Sequence, residues 1–148
     1  RAGRVICGGA RRMEGACAKG FYCEPTLVDA VPLDHPLWQT ELFVPLAMIA
    51  EVDTLEDAVE LANTVRYGLT AGFYGSAKEA AWFFDRIQVG VAYANRPQGA
   101  TTGAWPGFQP FGGWKASGST GKNGGGLYYL PLYMREQIRA LVEPQRRA

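Results

Sequence analysis

The middle third of the chain alternates short apolar runs with two amphipathic patterns, and each of these patterns begins with a helix-capping signal. Thr54 is a plausible N-cap, and apolar residues recur after it at helical spacing. Ser76 and Glu79 form the S-x-x-E pattern of a capping box ahead of a second apolar face. The spacing therefore predicts helices over residues 54–65 and 76–88.

Apolar runs at residues 46–52, 69–74 and 89–94 flank these helices and predict three strands. Strands that alternate with helices are typical of an α/β fold with a parallel sheet. In such sheets, ligands bind beyond the carboxyl ends of the strands. The third run leads directly to Asn95 and a long glycine-rich segment, so the sequence places a ligand site there.

The glycine-rich segment, residues 95–126, holds ten of the nineteen glycines of the chain. Between residues 86 and 135 there are five basic residues and no Asp or Glu, whereas twelve of the fourteen acidic residues come earlier. Glycine lets backbone N–H groups approach a ligand, and the missing carboxylates remove repulsion against an anion. The segment is therefore interpreted as a receptor loop for a small, partly apolar anion.

Composition narrows the class of protein. A chain of 148 residues with 47% apolar and 20% charged residues is ordinary for a soluble globular protein with one core. A formal net charge of +1 gives no reason to expect nucleic acid or a membrane surface as partner. No apolar run approaches the roughly 20 residues of a spanning helix. We expect a cytoplasmic location, and the opening on Arg1, with the first methionine at position 13, leads us to expect part of a longer protein.

Candidate catalytic and metal-ligating groups are few. Cys7, Cys17 and Cys23 show no metal-ligand spacing, so no metal site is predicted, and reduced structural thiols are the favoured interpretation. The lone histidine, His35, cannot supply a convincing triad. Residues 117–122 resemble half of a phosphate loop without its first glycine. By itself, the chain shows a binding loop and no catalytic machinery.

One acidic residue and one aromatic residue precede the first predicted strand. Glu41 and Phe43 are two positions apart, and they point to the same side if the backbone is extended. Read locally, the pair is an exposed acid followed by a core phenylalanine.

Six motifs follow one another along nearly the whole chain. They are CGG at 7–9, GF-x-x-EPT at 20–26, E-x-F-x-P at 41–45, LAN with YGL at 61–69, the strand-ending Asn95, and PFGG-x-K-x-SG at 110–118. In this order they resemble the C-terminal portion of an aldehyde dehydrogenase catalytic domain. The resemblance implies an α/β, parallel-sheet portion of that domain over residues 1–134. It also implies a tail over residues 135–148 that joins the sheet of a partner in a homo-oligomer.

Within that family, the loop is most similar to the 1-pyrroline-5-carboxylate dehydrogenases, the branch that oxidises L-glutamate γ-semialdehyde in proline catabolism. The resemblance implies NAD as cofactor and an aldehyde that carries a carboxylate as substrate. It assigns Glu41 to the nicotinamide ribose and Phe43 to the nicotinamide ring. It assigns the backbone N–H groups of Gly103 and Ala104 to the α-carboxylate of the substrate, and Phe111 to an aromatic box around the aliphatic chain of the substrate.

The sequence departs from the family pattern in three ways. Val44 stands where a glycine is usual, and the loop between Asn95 and Thr102 is a few residues longer than in some members. The nucleophilic cysteine and the general-base glutamate belong to segments that would precede Arg1, so no catalytic residue is expected in these 148 residues, which should be inactive alone. Two alternatives stay open: oxidation of another aldehyde, such as succinate semialdehyde, and a non-catalytic oligomerisation or interaction module that retains the fold.

Overall fold

The computed structural model describes residues 2–97, 110–118 and 122–142. Both predicted helices are present, as α1 (Leu55–Thr64) and α2 (Ala77–Phe84). Within the described ranges the strands are β1 (Arg4–Cys7), β2 (Thr26–Asp29), β3 (Leu46–Met48), β4 (Tyr67–Gly68), β5 (Thr70–Phe73), β6 (Val91–Ala94) and β7 (Trp114–Lys115). Short 3-10 helices span Gly15–Lys19, Pro36–Gln39 and Leu130–Tyr133.

The predicted caps begin both helices. The Thr54 hydroxyl accepts a hydrogen bond from the Asp57 N–H at 3.0 Å. In the capping box, the Ser76 N–H donates to Glu79 Oε2 at 2.9 Å, and the Glu79 N–H donates to Ser76 Oγ at 3.3 Å. Hydrogen bonds from Ser76, first from its side chain and then from its backbone, hold the pKa of Glu79 below its ordinary value. Local sequence therefore fixes where these helices begin.

Helix α2 ends at Phe84, earlier than predicted. The side chain of Asn63 forms hydrogen bonds with the backbone just beyond this end. Asn63 Nδ2 donates to the Arg86 carbonyl at 2.9 Å, and the Gln88 N–H donates to Asn63 Oδ1 at 2.8 Å. A continuing helix would use these same backbone groups for its own hydrogen bonds. A contact from a distant part of the sequence thus accounts for the early end.

The sheet topology confirms part of the prediction and corrects the rest. Strands β5 and β6 pair in parallel, from Thr70 with Val91 to Phe73 with Ala94, as expected for neighbouring strands joined by a helix. The expectation that the run at 46–52 belongs to the same sheet is wrong. Strand β3 pairs in parallel with β2, which pairs antiparallel with β1, and β4 pairs antiparallel with β7. Hydrogen bonds from Thr26 N–H to the Pro45 carbonyl and from Ile49 N–H to the Val28 carbonyl bind this run to β2.

The principal buried cluster lies between the two helices and β5. Val59, Phe83 and Ile87 are each 5–6% exposed. The ring of Phe83 stacks on that of Phe73, with 5.4 Å between centroids. This cluster supports the β5–β6 pair, and β6 ends at Asn95, where the predicted ligand segment begins.

None of the helices among the described residues is both long and apolar enough to cross a membrane. The described residues contain no group of three or more His, Cys, Asp or Glu side chains arranged to hold a metal ion. Cys7, Cys17 and Cys23 are free thiols.

Candidate active site

The segment that carries Glu41 follows the 3-10 helix Pro36–Gln39 and opens onto a cavity. The cavity has a volume of about 500 Å³, and Glu41 lines it together with Tyr67 and Ser117. The Glu41 side chain is exposed. The structure therefore places an accessible carboxylate at a cleft between this segment and the β4–β7 pair.

Phe43 departs from the expected geometry. Its φ is 52°, in the left-handed region, so the backbone here is not extended, and the condition under which Glu41 and Phe43 would point to the same side is not met. A hydrogen bond from the Leu46 N–H to the Val44 carbonyl, 2.7 Å, closes a tight turn directly afterwards. The residue is 92% exposed, which also corrects the local interpretation of Phe43 as a core residue. Strain of this kind persists where the surroundings determine the backbone, often at functional sites.

Residues 110–118, called here the PFGG segment, lie against the end of α1. Strand β7 pairs Trp114 with Gly68, and the Gly68 N–H donates to Ser117 Oγ at 3.1 Å. Phe111 is half-buried, and its N–H donates to the Gly124 carbonyl at 2.7 Å. Phe111 is thus held by its own hydrogen bond to Gly124 and by the pairing of its segment with β4.

The side chain of Asn95, the residue that follows β6, holds the start of the glycine-rich segment by hydrogen bonds. Its φ is 51°, a conformation that Asn tolerates better than most residues. Its side chain accepts from the Gly75 N–H at 3.0 Å and donates to the Gly75 carbonyl at 2.9 Å. The Tyr74 hydroxyl donates to the Arg96 carbonyl at 2.9 Å. These contacts fix the direction in which the chain leaves β6.

The CGG and EPT motifs have a structural role in joining β1 to β2. Gly8 has a φ of 73°, and a Cβ atom there would lie 2.1 Å from the Pro25 carbonyl oxygen. The Gly9 N–H donates to Thr26 Oγ1 at 2.9 Å. His35 is also structural, because its Nδ1 accepts from the Leu37 N–H at 3.2 Å and caps the 3-10 helix.

The predicted site residues are thus only partly observed. Glu41, Phe43 and Phe111 are described, and the cavity that Glu41 lines also includes Ser117 of the PFGG segment. Gly103 and Ala104 lie outside the described residues. The sequence analysis did not name two residues that have contacts here: the Asn63 carbonyl accepts from Lys115 Nζ of the PFGG segment, and Gln39 lines the cavity. Asn63 stands in the LAN motif, which is a usable signal, whereas nothing in the sequence singles out Gln39.

Comparison with known proteins gives the relatives of the chain. The model of the aldehyde dehydrogenase family matches residues 1–138. A 1-pyrroline-5-carboxylate dehydrogenase of Bacillus thuringiensis (strain Al Hakam) is 35% identical over 134 residues, which are 90% of this chain and 24% of that protein.

Solved structures give the same relationship. The 1-pyrroline-5-carboxylate dehydrogenase from Thermus, solved with bound NAD, superposes with a TM-score of 0.78 at 38% identity, over 89% of this chain and 24% of that one. A lactaldehyde dehydrogenase superposes with a TM-score of 0.78 at 31% identity, over 95% of this chain and 28% of that one. The chain spans about a quarter of the length of these relatives. The match over nearly the whole chain, in sequence and in structure, shows that it belongs to the aldehyde dehydrogenase family.

Proposed function

We propose that these residues form part of an NAD-dependent aldehyde dehydrogenase that oxidises L-glutamate γ-semialdehyde to glutamate. The observation that carries the substrate assignment is the 38% identity with the Thermus 1-pyrroline-5-carboxylate dehydrogenase, against 31% with the lactaldehyde dehydrogenase. The absence of Asp and Glu between residues 86 and 135 supports it, since the product and the substrate both carry a carboxylate.

The described residues fit the cofactor. Glu41 offers an exposed carboxylate that lines the cavity, where it can accept hydrogen bonds from ribose hydroxyls. Phe43 offers an exposed aromatic face against which a flat nicotinamide ring can pack. NAD, when bound, supplies the hydride acceptor. In this proposal the two residues bind and orient it.

The proposed substrate contacts lie on the glycine-rich segment. Phe111 forms one wall around the aliphatic part of the aldehyde, and its backbone is fixed through Gly124. Gly103 and Ala104 would donate backbone N–H groups to the α-carboxylate, an arrangement suited to binding anions. Oriented binding of this kind lowers the barrier by holding the aldehyde carbon at the reacting centre.

An assay of the natural gene product that contains these residues tests the proposal. Assayed with NAD⁺ and NADP⁺, this gene product should prefer L-glutamate γ-semialdehyde over a simple aliphatic aldehyde by at least about 100-fold in kcat/KM, because unpaired anion-binding groups reject an analogue that lacks the carboxylate. Equal rates would contradict the assignment, and a preference for succinate semialdehyde would favour the alternative substrate. The 148-residue chain alone should show no turnover. Turnover that disappears on Cys17→Ala would place the nucleophile in this chain.

The tail carries a second part of the proposal: residues 135–148 contact another copy of the protein. Within the described residues, Ile138 is 96% exposed, and Leu141 and Val142 are each 89% exposed. Burial of such side chains against a partner is favourable. Removing the residues after Met134 should lower the number of copies per oligomer, measured by light scattering. An unchanged number of copies would remove this part of the proposal.

A further inference from the structure

We propose that Gln39 and Lys115 are positioning residues that anchor the Glu41 segment and the PFGG segment, respectively, to one turn at the end of α1. This turn, residues 63–66, is called here the α1 terminus. The inference rests on the proposed function, because it assigns these anchors to the cofactor-binding and substrate-binding sides of that site.

The end of a helix leaves carbonyl groups without partners inside the helix, and cations are favoured there. Lys115 Nζ donates to the Asn63 carbonyl at 3.1 Å and to the Val65 carbonyl at 2.6 Å. Gln39 Nε2 donates to the Thr64 carbonyl at 3.4 Å. Two side chains from distant parts of the sequence therefore satisfy neighbouring carbonyls of one helix end.

Lys115 holds the PFGG segment against the α1 terminus in a strained conformation. Its φ is 53°, which costs free energy for a residue that is not glycine. The pairing of Tyr67 with Lys115 and the hydrogen bond from the Ala116 N–H to the Arg66 carbonyl, 3.1 Å, hold the backbone there. The ammonium contacts offset the strain. Phe111 lies four residues earlier on the same segment, so its position depends on this attachment.

Gln39 holds the Glu41 segment in a similar way. It is the last residue of the 3-10 helix Pro36–Gln39, two positions before Glu41. Besides donating to Thr64, its Oε1 accepts from the Arg66 N–H at 3.0 Å. Both hydrogen-bonding groups of the Gln39 amide thus bind the α1 terminus, which fixes the point at which the backbone turns toward Glu41.

The two attachments meet at the same cavity. Gln39, Glu41, Val65 and Ala116 all line it. Because both segments are attached within four consecutive residues, a shift of one relative to the other requires release of Gln39 or Lys115. The α1 terminus therefore sets the distance between the proposed cofactor and substrate walls.

Four variants of the natural gene product test this inference. Lys115→Met removes the ammonium donor and keeps an unbranched side chain. It should raise the KM for the aldehyde about 10-fold, because Phe111 would be misplaced. Lys115→Arg, which retains a cationic donor, should restore KM to near the wild-type value. Gln39→Leu should raise the Kd for NAD, measured by calorimetry, about 10-fold. Lys78→Met, a lysine on the first turn of α2 that takes part in none of these contacts, should change neither constant.

A second readout does not depend on turnover. Amide hydrogen exchange within residues 110–118 should become faster in Lys115→Met and stay unchanged in Lys78→Met. Unchanged exchange and unchanged KM in Lys115→Met, or an equal loss in Lys115→Arg, would overturn the role of Lys115. An unchanged Kd for NAD in Gln39→Leu would overturn the role of Gln39. If the wild-type protein oxidises no aldehyde, the proposed function fails, while exchange and NAD binding still decide the inference.

Discussion

Replacement of Gly90 by alanine is expected to disrupt the contact between this residue, which precedes β6, and the PFGG segment, with a loss of about 4 kcal/mol or more in local stability. A Cβ atom on Gly90 would lie 1.6 Å from the Gly112 carbonyl oxygen and 2.9 Å from the Gly113 Cα. Both obstacles are backbone atoms, so no change of side-chain rotamer relieves the collision. The Gly90 N–H also donates to the Gly68 carbonyl at 3.0 Å, and a displaced residue 90 would lose that bond.

Native-state hydrogen exchange measures this loss at nearby amides, because a local opening is read from the amides that it exposes. The Val91 N–H, which donates to the Leu69 carbonyl at 3.0 Å, is a suitable probe. Gly124→Ala is the matched control: the nearest atom to its new Cβ lies at 3.7 Å, an ordinary van der Waals distance. We expect that control to change stability by no more than about 0.5 kcal/mol. Equal losses in the two variants would contradict the steric argument.

The Gly90 contact also matters for the site. Gly112 follows Phe111 directly, so a shift of the PFGG segment at Gly112 would move the proposed wall of the substrate pocket. The alanine variant should therefore impair binding of the aldehyde as well as stability. If the variant loses stability but keeps the wild-type KM for the aldehyde, the position of Phe111 does not depend on this contact.

The parts of the fold that depend on local chemistry could be predicted from the sequence. Thr54, Ser76 and Glu79 act through neighbouring backbone groups, and both helices begin where these residues predict. The end of α2 could not be predicted in this way, because the side chain of Asn63, more than twenty residues away, takes the backbone groups at residues 86 and 88.

For a related reason, the sequence could not predict which strands belong to the same sheet. The run at 46–52 has the composition of a buried strand, but composition does not specify a partner strand. Its pairing with β2 depends on hydrogen bonds to the segment from Thr26 to Val28, about twenty residues earlier. Of the two parallel pairs among the described strands, β5–β6 could be predicted because a capped α-helix joins its strands, whereas the connection from β2 to β3 holds no α-helix.

In the candidate site, too, some features could be predicted from the sequence and others could not. Ordered motifs identified Glu41, Phe43 and Phe111, but no local pattern predicts a φ of 52° at a phenylalanine. The contacts of Gln39 and Lys115 with the α1 terminus were also not predictable, because they join segments that only the tertiary structure brings together. Motifs could name candidate site residues, whereas the contacts that hold these residues in place required coordinates.

Phe83→Ala is expected to destabilise the β5–β6 pair by about 3–5 kcal/mol, the usual cost of removing a buried aromatic ring. Phe83 is 5% exposed and belongs to the cluster formed with Val59 and Ile87. Its ring also stacks on Phe73, the last residue of β5, whose carbonyl accepts from the Asn95 N–H at 2.8 Å. Loss of the ring leaves a cavity beneath the strand end from which the glycine-rich segment begins.

Phe84→Ala provides a control in the same helix with the same change of residue type. Phe84 is 46% exposed, so its truncation should cost about 1 kcal/mol or less. Any gain from the higher helix propensity of alanine is common to both variants and cancels in their comparison. Exchange of the Asn95 amide should be accelerated far more by Phe83→Ala than by Phe84→Ala. Equal acceleration would mean that the cluster does not support the strand ends, and that the position of Asn95 depends on its side-chain contacts with Gly75 instead.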